Sequence, residues 1–232
     1  MKKIFCLVLA IVMVLSFAAC GNKTEEDNKP AGSNQTITEN NDKSSDSSKI
    51  TVEDVKNAKE TDASLFEYKE VEGGIAITGF TGEDKIVVIP DSIDGKNVIS
   101  IEDHAFVNNK TILGLRLSDS VTQICSNAFE NCTSLEVFVS GKSLLTILEY
   151  AFNNCKSLSS VELNEGLKTL EDLCFGETNM SELYIPASVE TINTPFTANK
   201  DKTLKIISVS GGAAEKYVSI YGENWNQVFE AK

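Results

Sequence analysis

Apolar residues return along this chain with a long period. Phe stands at 106, 129, 152 and 175, three successive intervals of 23 residues, and Phe196 follows after 21. The columns around each Phe repeat with it. Ile101, Ile124, Ile147 and Leu170 lie five positions before, and Val98, Val121, Leu144 and Leu167 eight before. Small Ala105, Ala128, Ala151 and Cys174 come immediately before. Six, nine and eleven positions after the Phe stand Ile112, Leu115 and Leu117, then Leu135, Phe138 and Ser140, then Leu158, Val161 and Leu163. The next turn is one residue shorter and places Met180, Leu183 and Ile185 in those columns. A period of this length marks a repeat array, in which one repeat cannot bury its own apolar face and neighbours stack to share a core. The pattern predicts one short parallel strand per turn with alternate burial, then a bend that buries the Phe, over about five or six turns.

The ends of such an array need different residues. At the front, Ser64 to Val71 and Ile75 to Phe80 flank Gly73-Gly74 as a hairpin, and Val87 and Ile89 open the regular strand column. At the back, Gly211-Gly212 introduce a helical pattern from Ala213 to Tyr221 that Gly222 stops, leaving Trp225, Val228 and Phe229 to cover the last turn. Thr51-Val52-Glu53-Asp54 reads as a capping box for a short helix through Lys59, marginal alone and with no function expected of it. Residues 51–85 are therefore read as an N-terminal cap, 86–203 as the repeats and 204–232 as a C-terminal cap.

Two repeat segments, Ile124-Cys-Ser-Asn-Ala-Phe-Glu-Asn-Cys-Thr-Ser-Leu135 and Ile147-Leu-Glu-Tyr-Ala-Phe-Asn-Asn-Cys-Lys-Ser-Leu158, resemble the repeat of the BspA-like leucine-rich repeat family, as do Val88-Ile-Pro90 and Tyr184-Ile-Pro186. Ile75 to Phe80 and Gly212 to Tyr217 resemble that family's entry and exit elements, so the resemblance covers about residues 65 to 229. It implies a leucine-rich-repeat solenoid, a right-handed superhelix with an N-terminal hairpin cap and a C-terminal helix cap. It also implies a place on bacterial surfaces and adhesion to host or matrix, with no catalytic centre and no cofactor.

Residues 1–19 carry Lys2-Lys3, an apolar run from Ile4 to Leu15 and small residues before Cys20, the three regions of a secretory signal. The run is shorter than the ~20 apolar residues a spanning helix needs. Phe17-Ala18-Ala19-Cys20 resembles the bacterial lipobox, with Phe17 where Leu is usual. That resemblance implies cleavage before Cys20 and a diacylglyceryl group on its thiol, which anchors the chain in the membrane; two acyl chains hold where one is marginal. Residues 20–50 then form the lipidated Cys and a polar tether with almost nothing to bury. The lipobox, Gly21 and the excess of Lys over Arg look like a low-GC Gram-positive cell, with the protein outside the cytoplasmic membrane. In a two-membrane cell the outer membrane is the other candidate.

Charge narrows the partners. The chain has 34 acidic and 21 basic residues, a net of −13, and losing Lys2 and Lys3 with the signal moves it to −15. A chain so acidic, with Arg116 its one arginine, repels phosphate backbones, which excludes nucleic acid.

Candidate chemistry follows from the strand alternation. If Leu115, Phe138, Val161 and Leu183 point inward, then Gly114 and Arg116, Val137 and Val139, Ser160 and Glu162, and Glu182 and Tyr184 point outward. Strands about 4.8 Å apart put Arg116, Val139, Glu162 and Tyr184 in one stripe about 15 Å long, and Arg, Tyr and Val are residues that interfaces favour. Arg116, Val137, Val139, Glu162, Glu182 and Tyr184 are thus the candidate contacts for a protein or glycan partner, against the alternative of an ordinary solvated sheet face. Cys125, Cys132, Cys155 and Cys174 read as buried thiols. Cys132 and Cys155 share a column in which a disulfide would be poorly oriented, and no Cys-x-x-Cys pair suggests a metal. His104 sits at a turn position, and a pair with Cys125 would lack an oxyanion device. Asn108, Asn131 and Asn154 form a column of stacked amides. The sequence thus reads as a non-enzymatic surface lipoprotein with an adhesin-like binding face, the alternative being a subunit that docks another protein of the same envelope.

Overall fold

The structure is a computed structural model that describes residues 49–197 and 201–232. The signal segment, Cys20 and the tether as far as residue 48 lie outside them.

A six-residue helix, α1 (Val52–Asn57), comes first, with the capping box in place between Thr51 and Asp54. The hairpin follows as β1 (Phe66–Val71) and β2 (Gly74–Phe80), antiparallel about a turn whose Gly73 has φ +88°, a conformation Gly adopts without steric cost. From there the chain winds as a solenoid with two ladders. The front ladder takes β3 (Ile86–Val88), β6 (Gly114–Arg116), β8 (Val137–Val139) and β10 (Ser160–Glu162) in parallel. The side ladder runs from β2 through β5 (Lys96–Ile101), β7 (Gln123–Ile124), β9 (Thr146–Ile147), β11 (Thr169–Leu170) and β13 (Thr191–Ile192), with β4 (Ser92–Ile93) laid antiparallel on β5. Each turn thus carries two strands where the pattern predicted one. Most side-ladder strands have two residues, one half-exposed and one buried, and two residues are too few to display the alternation by which a strand is recognised.

The bends are laddered as well. Phe106, Phe129 and Phe152 donate their N–H groups to the carbonyls of Ala128, Ala151 and Cys174 in the following turn, each at 2.8 Å. Two columns take left-handed backbone: His104, Asn127, Tyr150 and Leu173 at φ 52–61°, and Asn108, Asn131, Asn154 and Glu177 at φ 54–63°. Asn tolerates that conformation better than other non-glycine residues, which accounts for the asparagine column, and the Asn154 amide also donates to Asn131. Inside, the Phe rings stack continuously: Phe106 to Phe129 at 4.7 Å, Phe129 to Phe152 at 5.1 Å and Phe152 to Phe175 at 5.4 Å. Phe80 extends the stack at one end and Phe196 at the other.

The expected C-terminal helix cap is present, with a later end and added strands. Helix α2 (Ala213–Trp225) runs through Gly222 and stops at Asn226, which takes the left-handed conformation. Gly222 is needed for close approach instead, because a Cβ there would lie 2.7 Å from the Gln227 carbonyl oxygen. Nor does the front ladder stop at residue 203. It resumes with β12 (Glu182–Tyr184), β14 (Leu204–Ser208) and β15 (Gln227–Ala231), all parallel, so the front has seven rungs among the described residues, four in one sheet and three in the next. Tyr217 and Ala214 of α2 close the core, Phe229 packs partly against it, and Val228 faces outward.

Candidate binding face

Leu115, Phe138 and Leu183 are buried inward, and Val161 packs partly buried against the same core. Their neighbours therefore face out of the front sheet. The short helix before the hairpin, of which no function was expected, lies against this outer side of the sheet. Val55 is fully buried, and together with Ile50 and Val52 it forms a second apolar cluster with Ile86, Val137 and Val139 on the outer side of the sheet. Arg116 fastens this helix from below: its Nη2 donates to the Ala58 carbonyl at 2.9 Å and its Nε to the Val55 carbonyl at 3.3 Å. Lys56 pairs with Glu162 at 2.7 Å. Gly114 makes room, since a Cβ at that position would stand 2.5 Å from the Val55 Cγ2 atom.

This corrects the expected site. Val137 and Val139 point outward but are buried, at 0% and 5% exposure, so neither is offered to a partner while α1 is in place. Arg116 is half-buried and committed to backbone carbonyls. Helix α1 itself, to which no role was assigned, is the cover of the front face, and Ile50 belongs to this cluster and not to the tether. A clue was present in the sequence. Two valines on an otherwise polar outward stripe had no partner, and neither had Ile50, Val52 and Val55. Burial of apolar surface pairs such sets, but with no periodicity to link residues 50–55 to residues 137–139 the match had to come from the fold.

The remaining candidates lie on the open half of the sheet. Glu182 is exposed and sits 3.8 Å from Lys205, which also reaches Glu230 at 3.2 Å. Tyr184 donates its hydroxyl to Glu165 at 3.1 Å, and the Lys232 ammonium lies 4.1 Å from the centre of its ring. Burial, and then the bond to Glu165, holds the phenol above its ordinary value. Between α1 and Tyr184 runs a groove of about 820 Å³ lined by Arg116, Val139, Glu162, Leu163 and Glu165 among others. Glu165 and Leu163 were not among the expected contacts, because they belong to the loop after β10 and not to the strand stripe.

The groove floor coincides with a fault in the sheet. Leu117, Ser140 and Ile185 each donate N–H to a carbonyl of the next turn, those of Val139, Glu162 and Ile207, at 2.9–3.0 Å. The equivalent Leu163 N–H finds no acceptor among the described residues, and the ladder is not joined between β10 and β12. The break coincides with the turn between Phe175 and Met180, which is one residue shorter than its predecessors and leads into β12.

The other candidates are structural. Cys132 and Cys155 are free thiols that donate to the carbonyls of Phe106 and Phe129, both at 3.2 Å. Burial pushes the Cys125 thiol up to about 11 and the Cys155 and Cys174 thiols well above the usual range. His104 and Cys125 share no hydrogen bond among the described residues; the His104 backbone N–H donates to the Ser126 carbonyl.

Comparison with known proteins agrees with this architecture. Residues 86–203 match, in six copies, the family model described as BspA type leucine-rich repeat region. The leucine-rich repeat protein of T. pallidum is similar at 27% identity and a TM-score of 0.59, over 64% of this chain and 71% of that one. A leucine-rich repeat protein from Bacteroides ovatus is similar in fold at 24% identity and a TM-score of 0.54; the match covers 61% of this chain and 39% of that longer one. No curated protein matches.

Proposed function

We propose that this chain, which belongs to the BspA-type leucine-rich repeat family, is a non-enzymatic cell-surface lipoprotein that binds a protein or glycan partner on the open half of its front sheet. The observation that carries the reading is the division of that sheet. Helix α1 covers Val137 and Val139, whereas Glu162 and Tyr184 border a groove that no segment of the described chain fills, and Glu182 stands exposed on the same open half of the sheet. A rigid, laddered sheet holds those side chains in place before any partner arrives, which lowers the ordering cost of binding. Cys20 supplies the membrane anchor and the polar tether the reach. Many copies on one cell surface then raise avidity even where each contact is weak.

The test is capture of matrix proteins, mucins and envelope proteins of the producing cell by the full chain clustered on beads. Specific capture that is lost in Tyr184→Ala and Glu182→Ala supports the reading. Capture indifferent to both substitutions moves the site off this face, and a partner drawn from the cell's own envelope makes the protein an assembly subunit.

A further inference from the structure

We propose that the groove between α1 and Tyr184 is a binding site for a neutral oligosaccharide. The inference rests on the reading of the front sheet as the binding face and adds the class of ligand. Volume is the first argument: at about 820 Å³ the groove falls within the range of sites that enclose small ligands. Charge is the second. Lys56 is paired with Glu162, Lys142 with Asp119, and Arg116 with the α1 carbonyls, while Glu165 accepts from Tyr184. Three cations and three carboxylates leave no net charge to attract an ion. An anionic ligand would have to displace the partner that each of the three cations already has.

Hydrogen-bonding capacity is the third argument and the most specific. The fault between β10 and β12 leaves the Leu163 N–H without an acceptor, although Leu163 is 6% exposed. A buried N–H of this kind is satisfied by water or by a ligand. Beside it, the Glu165 and Glu162 carboxylates are acceptors with lone pairs to spare. A groove that calls for both an acceptor and donors along one lining suits hydroxyl groups, each of which gives and takes a hydrogen bond. The shortened repeat thus opens a site that a regular 23-residue turn would have sealed with its own ladder.

The experiment titrates the purified full chain with maltohexaose, cellohexaose, mannohexaose and chitohexaose, read by calorimetry and by the Tyr and Trp fluorescence. At least one should bind with a dissociation constant in the millimolar range or tighter. Tyr184→Ala and Glu165→Gln should each weaken it fivefold or more, while Glu215→Gln, on α2, leaves it unchanged. A single Asn inserted between Thr178 and Asn179 restores the 23-residue spacing; it should abolish binding while the melting temperature is kept. Failure of all four sugars at 10 mM overturns the proposal, and so does binding indifferent to the three groove variants. If a protein partner is captured on the same face while the sugars fail, the oligosaccharide inference falls and the binding-face reading stands. If neither binds, both fall.

Discussion

Truncating Val55 to Ala tests whether α1 is a separable cover over the front sheet. The side chain is wholly buried between Gly114, Val137 and Val139, in a cluster distinct from the main core. Removing two carbons from such a site costs about 1.5 kcal/mol at ~0.8 kcal/mol per methylene. Collapse of the exposed helix onto the gap holds any cavity cost low. The helix has six residues and no stability of its own, since isolated helices of that length do not form in water. The loss therefore appears as undocking of α1 and not as unfolding of the solenoid. At 1.4 kcal/mol per decade, the undocked fraction rises about tenfold. Amide hydrogen exchange reads this directly: the Val55 amide, bonded to the Thr51 carbonyl at 3.3 Å, should exchange about tenfold faster. The amides of Ile147 and Phe152 in the main core should hold their protection. Gly114→Val should produce a larger effect of the same kind, because its Cβ would meet Val55 at 2.5 Å. Equal acceleration in α1 and in the core refutes the idea of a separable cover, and unchanged exchange in α1 refutes the packing energy assigned to Val55.

Four further outcomes follow from the same geometry. Phe152→Ala, which empties the middle of the ring stack, should cost about 3–5 kcal/mol and lower the melting temperature by on the order of 10 °C; a loss below about 1 kcal/mol would show that the stack collapses freely. Tyr150→Asn places at φ 58° the residue that the same column carries at Asn127, and it should stabilise the fold by about 0.5–1 kcal/mol in urea denaturation; destabilisation would refute the assignment of backbone strain to this position. Cys125, raised to about 11, and Cys155 and Cys174, raised well above the ordinary thiol value, should resist alkylation at pH 8 in the native protein and react on unfolding; rapid native labelling would show that the turns open. Burial raises Cys125 to about 11 and Tyr217 to about 12, against 9.0 and 10.0 for free groups. The folded state therefore holds protons that the unfolded chain releases, so the contribution of these two groups to stability is level below about pH 9 and falls as pH rises through 9 to 12. A urea midpoint that stays flat or rises across that window would contradict the assignment.

Much of the architecture was legible from spacing alone. The Phe column and its flanking aliphatic columns repeat because each turn must present the same faces to its neighbours. That requirement is local and periodic, so it is written into the sequence at fixed intervals. The hairpin about Gly73 and the capping box at Thr51 were legible for a related reason: their chemistry lies within a few consecutive residues. Less local features were missed. The two-residue strands of the side ladder are too short for alternation to appear. Gly222 was read as a helix stop, although it is a point of contact with the Gln227 carbonyl. The strand role of residues 227–231 depended on β14 lying beside them.

For the candidate site the division is sharper. Alternation along the strands determined that Arg116, Val137, Val139, Glu162, Glu182 and Tyr184 face away from the core, because a strand's side chains take opposite sides in turn. Which of them meet solvent was decided by tertiary structure. Helix α1 returns across the sheet and buries Val137 and Val139, a contact between residues more than 80 positions apart. Period and propensity do not specify such a contact; it is settled by which apolar surface remains uncovered once the solenoid has closed. The groove arose likewise. One residue missing from a single turn was visible in the sequence, but that it leaves the Leu163 N–H unpaired beside Tyr184 and Glu165 emerges when the turns are stacked and their registers compared.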